Sequence, residues 1–142
     1  MLKSCSYCGR IHDSKKSCRQ KRDAEQERWN KRKATKALAF RRTNAWKDKS
    51  MEVRKRQHYM CVCCTHNLEG TTNMLNTKDL SVHHIVPVEE NYDLRLDNEN
   101  LITVCSMHHE MCEAGKIGRG IQKQIAREFL EENDEHTPAL FL

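Results

Sequence analysis

Apolar residues are thinly spread over the first forty positions of this chain and then gather into short, separated runs. Residues 19–40 are highly charged and lack Gly and Pro, which predicts a linker or a partly helical basic arm. Leu38 and Phe40 are the first residues there able to dock firmly. Thr43 is placed to cap a helix from Asn44 to His58, with Trp46, Lys49/Ser50 and Val53 on one face and Trp46 and Val53 as core anchors. The polar stretch from Thr65 to Asp79 reads as a loop with Gly70 and Asn73 as turn formers. Leu80 to Val86 alternates as a strand stopped by Pro87. A second loop, rich in Asn and Asp, covers Glu89 to Glu99. Leu101-Ile102-Thr103-Val104 is a β-branched strand leading into Cys105. Ser106 is expected to cap a helix that carries His108, His109 and Cys112 and ends at Gly115. Apolar residues at 121, 125, 129 and 130 predict an amphipathic helix from Ile121 to Leu130. The acidic tail from Glu131, containing Pro138, is expected to fray.

These runs predict a small α+β body over residues 43–130. It is preceded by a basic arm (19–42) and a thiol-bearing segment (1–18), and followed by an acidic tail (131–142). A 142-residue chain with 37% hydrophobic and 32% charged residues has a thin core that needs staples, and its 8 Cys and 8 His are the natural source. No stretch suits a signal peptide or a bilayer span, so a reducing cytoplasm is expected.

The net charge of +5 conceals an asymmetry. Residues 19–58 hold 15 Lys/Arg against 5 Asp/Glu, whereas residues 59–118 hold 3 against 9. A basic arm on an acidic, His-rich body points to an arm that finds a polyanion and a body that attracts a divalent cation. Arg41, Arg42, Arg54, Lys55 and Arg56 are candidate phosphate contacts. A merely solvated helix is the plain alternative.

The thiols fall in short-spaced pairs interleaved with histidines, which favours zinc over disulfides. Cys5-x-x-Cys8, with Gly9 just after it, then His12 and Cys18, could close a tetrahedral site of zinc-knuckle type. Cys61 and Cys64 precede the strand pair, and Cys105 follows it. His108, one helical turn beyond Cys105, completes a set of three thiolates and one imidazole, although Cys112 at i+4 from His108 could compete. The Cys105/His108 spacing is favoured, which leaves Cys63 and Cys112 as small buried thiols.

The reactive chemistry centres on His83-His84. Neighbours on a strand point to opposite faces, so one can hold an ion while the other acts on water. His84 is the candidate general base. His83 and His109 can hold one divalent cation, leaving positions open. Asn100 can brace the intervening loop. His58, His66 and His136 lack such company and read as surface residues, and Glu89, Glu90 and Asp97 read as solvated loop positions.

His83-His84-Ile85-Val86-Pro87, Asp97-Asn98-Glu99-Asn100-Leu101 and Cys105-x-x-His108-His109 together resemble the HNH endonuclease family, the His-Me or ββα-metal finger nucleases. The resemblance implies a strand-loop-strand-helix unit gripping one divalent ion and cutting DNA to 5′-phosphate and 3′-hydroxyl ends. By position His84 matches the general base, His83 the first metal ligand, Asn100 the central Asn and His109 the second metal ligand. Two departures stand out. His108 replaces the second Cys of the usual Cys-x-x-Cys-His. His83 stands where relatives often carry Asp, giving a softer site at which Mn, Ni or Zn could act beside Mg. The whole arrangement is similar to small phage HNH proteins encoded beside terminase genes, which implies terminase and portal proteins as partners and a monomer or weak dimer. The rival reading is a non-catalytic zinc module that binds nucleic acid or serves a terminase.

Overall fold

The computed structural model describes residues 1–135. They form two compact units, Met1–Ala39 and the part from Phe40 onward. The predicted tail positions His136 and Pro138 lie outside the described residues.

In the first unit, β1 (Leu2–Ser4) and β2 (Ile11–Asp13) pair antiparallel, with Leu2 opposite Asp13 and Ser4 opposite Ile11. Cys5 and Cys8 lie in the connecting turn. Gly9 takes a φ of +69°, a left-handed value that glycine adopts without a Cβ penalty, and its N–H bonds back to the Cys5 carbonyl at 2.8 Å. Helix α1 (Arg19–Arg41) then runs for 23 residues without interruption. The linker or partly helical arm expected there is helical, and the helix ends at Arg41. The lack of Gly and Pro permits it, and i,i+4 pairs Arg19–Asp23, Lys21–Glu25 and Glu27–Lys31 add small increments along its surface.

The second unit is built on two antiparallel strands, β3 (Leu80–His84) and β4 (Leu101–Cys105), with His83 opposite Ile102 and His84 opposite Leu101. Four helices surround them: α2 (Asn44–Arg56), the single turn α3 (Val62–Thr65), α4 (Ser106–Glu113) and α5 (Arg119–Glu135). Thr43 caps α2 by accepting the Trp46 N–H at 3.2 Å. Helix α2 ends two residues before the expected His58, because His58 and Tyr59 both adopt left-handed φ values of 60° and 54°.

Three other boundaries differ from expectation. Strand β3 stops at His84 rather than Val86, because the Val86 N–H is taken by the Asn100 side chain. Cys105, not Ser106, occupies the N-cap position of α4, and its sulfur makes no capping bond. Helix α5 starts at Arg119 and continues to Glu135, so the first tail residues are helical rather than frayed.

All of β4 is buried. The main core joins Val62, Ile85, Ile102, Val104, Ile117 and Ile125 to Cys61, Cys63, Cys64, Cys105 and Cys112, so thiols fill much of the space that aliphatic side chains would otherwise occupy. Val53, Val82 and Leu101 form a smaller cluster against which Trp46 packs. Gln57 closes the outer edge of β4 by acting as a strand would. Its Oε1 accepts the Thr103 N–H at 2.6 Å and its Nε2 donates to the Leu101 carbonyl at 3.3 Å. The β4 edge at Leu101–Thr103, otherwise open to pairing with another chain, is thus covered from within the chain. No helix among the described residues is long and apolar enough to cross a membrane.

Candidate active site and metal centres

The alternation along β3 separates the two adjacent histidines. His83 turns toward α4, where its ring lies 5.0 Å from that of His109. His84 turns toward α2, where Trp46 stacks on it at 4.5 Å between centroids and 28° between planes. Phe40 meets the His84 ring edge-on at 6.0 Å. Both histidines are buried to all but 7% of their surface, and both line a cleft of about 890 Å³ together with Arg41, Trp46, His109, Glu113 and Arg119.

His84 Nε2 lies 3.0 Å from the Arg95 carbonyl oxygen. A carbonyl only accepts, so Nε2 carries the proton and Nδ1 keeps the lone pair. Burial lowers the His84 pKa from its ordinary value, while the bond to the Arg95 carbonyl works in the opposite direction. Arg95 itself belongs to the loop that Asn100 braces. The Asn100 side chain, 3% exposed, accepts the Val86 N–H at 2.7 Å and donates to the Val86 and Leu94 carbonyls, each at 3.1 Å. One amide thereby ties both ends of the segment that leaves β3 and returns toward β4.

His83, His109 and Glu113 present ligand atoms within 4.8 Å of one another. Burial, then the neighbouring His109 and His84, lower the His83 pKa to about 4, so its imidazole is neutral near pH 7 and can donate a lone pair. His109 Nε2 stands 3.1 Å from Glu113 Oε1. Adjacent ligands of an octahedral ion with bonds of about 2.1 Å are separated by about 3 Å. Ser81 Oγ, 3.2 Å from His109 Nδ1, can accept that nitrogen's proton and leave Nε2 free. Two imidazoles and a carboxylate beside an open cleft suit a divalent cation. Glu113 was not anticipated, although its signal was present: it follows His109 by four residues on a helix, which puts both on one face.

A second group is fully internal. Cys61, Cys64, Cys105 and His108 are all buried, with ligand atoms within 4.8 Å of one another. His108 Nδ1 lies 3.5 Å from Cys61 Sγ, 3.4 Å from Cys64 Sγ and 3.3 Å from Cys105 Sγ. A tetrahedral zinc with ordinary Zn–S and Zn–N bonds separates sulfur from nitrogen by about 3.5 Å. His108 Nε2 donates to the Glu69 carbonyl at 2.9 Å, which fixes the tautomer that turns the Nδ1 lone pair toward the three sulfurs. Burial, followed by the hydrogen bond with Cys61 and then its charge, pushes the Cys64 thiol up. Full ionisation of such a set calls for a cation in its midst. Cys112 lies elsewhere, hydrogen-bonded with Cys63. Asn76 adds a bond from its side-chain amide to Cys64 Sγ at 3.8 Å.

The third group, Cys5, Cys8, His12 and Cys18, is partly exposed and equally close. Cys5 and Cys18 sulfurs are 3.6 Å apart, near the separation of about 3.8 Å expected across tetrahedral zinc. His12 Nδ1 donates to the Asp13 carbonyl at 3.2 Å, and its Nε2 is buried without a hydrogen bond. That orphaned nitrogen fits a metal ligand. Cys18 Sγ accepts the Lys21 N–H at the start of α1, and backbone N–H groups of Cys8 and Tyr7 lower the Cys5 thiol to about 6.

The five candidate DNA-contacting cations are dispersed. Arg41 lines the cleft and pairs with Glu89 at 3.2 Å. Arg42 and Lys55 are exposed. Arg56 binds Glu52 and Asn98 and keeps 11% of its side chain exposed, which gives it a bracing role within the unit. Arg54 is half-buried. His58 and His66 are exposed, as anticipated, and His66 pairs with Glu128 at 2.7 Å.

No family model matches the chain, and no curated protein matches it. Among solved structures, it is similar to the crystal structure of the deep-sea thermophilic bacteriophage GVE2 HNH endonuclease with manganese ion. The two are 21% identical with a TM-score of 0.49, over 78% of this chain and 96% of that one.

Proposed function

We propose that this protein is a metal-dependent DNA endonuclease of HNH type. The observation that carries the reading is the division of labour in one cleft: His84 with its proton fixed on Arg95 and Nδ1 free, and His83 turned the other way toward His109 and Glu113. His83, His109 and Glu113 would hold a divalent ion, which when bound supplies charge neutralisation at the scissile phosphate and the leaving 3′-oxygen. Mg, Mn, Ni and Zn are the candidates for that ion.

His84 Nδ1 takes a proton from water, and the water oxygen attacks phosphorus in line. The P–O3′ bond breaks, leaving a 5′-phosphate and a 3′-oxygen that is protonated to the hydroxyl. The Arg95 carbonyl holds the ring as it gains charge, and the Trp46 face stabilises the imidazolium. Asn100 maintains the loop that carries Arg95, a positioning role. Cys61, Cys64, Cys105 and His108 would hold structural zinc that ties α3, the end of β4 and α4 together. Cys5, Cys8, His12 and Cys18 would hold a second zinc at the N-terminus. The reading takes DNA as the substrate, approached by Arg41 and by the exposed Arg42 and Lys55.

The chemistry is tested by the ends it leaves. Nicks made in supercoiled plasmid with added Mn or Mg should be sealed by DNA ligase without prior end treatment. Nicks that ligase cannot seal until a 3′-phosphate is removed would contradict the proposed bond cleavage.

A further inference from the structure

The cleft walls carry charge beyond the groups that act on water and on the ion. Arg41 is the last residue of α1 and Arg119 the first of α5, and both line the cleft that contains His83, His84 and His109. Each guanidinium is held by one of two consecutive carboxylates in the loop after Pro87. Arg41 Nη2 lies 3.2 Å from Glu89 Oε1. Arg119 grips Glu90 with two parallel bonds, Nη1 to Oε1 at 3.0 Å and Nη2 to Oε2 at 2.8 Å.

The two-pronged fork that matches a carboxylate matches a phosphate equally well. The four side chains are 37–55% exposed, so solvent reaches both pairs and their exchange for another anion is easy. A solvated loop would scatter its acidic residues. Here two neighbours in sequence reach arginines on two different helices, and both arginines lie on the wall of one cleft.

We propose that Arg41 and Arg119 form a two-armed phosphate grip on the cleft walls, occupied by Glu89 and Glu90 until a DNA strand displaces them. Built on the DNA reading above, this assigns Arg119, Glu89 and Glu90 a function in substrate binding. The carboxylates weaken capture of isolated anions and leave capture to a polyanion that can replace both at once.

The test is duplex binding by the full chain without added divalent ion, so that no strand is cut. A 20-bp duplex would be titrated over a range of salt concentrations. Glu89→Gln/Glu90→Gln should bind on the order of threefold or more tighter than wild type, with a salt slope steeper by as much as about two phosphate contacts. Arg119→Gln should bind more weakly, with a slope reduced by about one contact. Glu131→Gln/Glu132→Gln, two exposed positions near the other end of α5, makes the same change in net charge and should gain much less. An equal gain in that control, or an unchanged slope in Arg119→Gln, overturns the grip. Cleavage with these binding results absent would leave the nuclease reading standing without the grip, and these binding results without cleavage would do the reverse.

Discussion

Replacing Asn100 tests how the intervening loop is held. Its side chain makes three hydrogen bonds while only 3% exposed, to the Val86 N–H, the Val86 carbonyl and the Leu94 carbonyl. Asn100→Ala removes all three and leaves an N–H and two carbonyls to find other partners. At a net contribution of about 0.5–1.5 kcal/mol for each bond, the loss of stability should be about 3 kcal/mol. Asn100→Asp keeps an acceptor for the Val86 N–H but sets a carboxylate against two carbonyl oxygens. It should therefore be no more stable than the alanine variant near pH 7. Urea unfolding of zinc-loaded protein at fixed zinc concentration gives both values, with an unchanged m-value as the check that the unfolding reaction is the same. The loop also carries the Arg95 carbonyl that orients His84, so kcat should fall in both variants while duplex binding changes little. A loss below about 0.5 kcal/mol in Asn100→Ala, or an aspartate variant as stable as wild type, would refute the bracing argument.

Other consequences follow from the metal groups and the titrations. Glu113→Gln should weaken Mn binding about tenfold or more by calorimetry while leaving the zinc content unchanged. His108→Ala should remove one zinc by elemental analysis and abolish the cooperative unfolding transition of the second unit, because binding free energy at such a site is folding free energy. Cys18→Ser should remove the other zinc and leave that transition in place. The His84 pKa is depressed, so the neutral base persists as pH falls below 6.5, and the acid limb of kcat/KM should lie on the acid side of that value. An acid limb centred above pH 7 would contradict the assigned environment.

Local periodicity made much of this legible in the sequence. Strand alternation was enough to send His83 and His84 to opposite sides, and the spacing of Cys61, Cys64, Cys105 and His108 was enough to bring them forward as one set. Spacing already favoured His108 over Cys112 as the fourth ligand, and packing agrees: Cys112 meets Cys63, a contact between elements far apart in the chain. Gln57 illustrates the limit of such local signals. Nothing near Gln57 indicates that its amide will complete the edge of β4. Trp46 packs on the Val53 cluster as expected, and the fold adds its stacking on His84. Glu113 differs, since its i+4 spacing from His109 was available and carried the information. Linker and helical arm stayed open over residues 19–40 because a charged sequence with little apolar face gives no periodic signal, even when nothing in it breaks a helix.

The central claim is that His84 Nδ1 activates water while His83 and its partners hold the ion. Nicking of supercoiled plasmid by wild type and His84→Ala, assayed in turn with Mg, Mn, Ni and Zn, tests it most directly. The expected result is nicking that requires an added divalent ion and is lost in His84→Ala, with Mn affinity, duplex binding and zinc content retained. Metal-dependent nicking undiminished in that variant would contradict the assignment of His84 as the base.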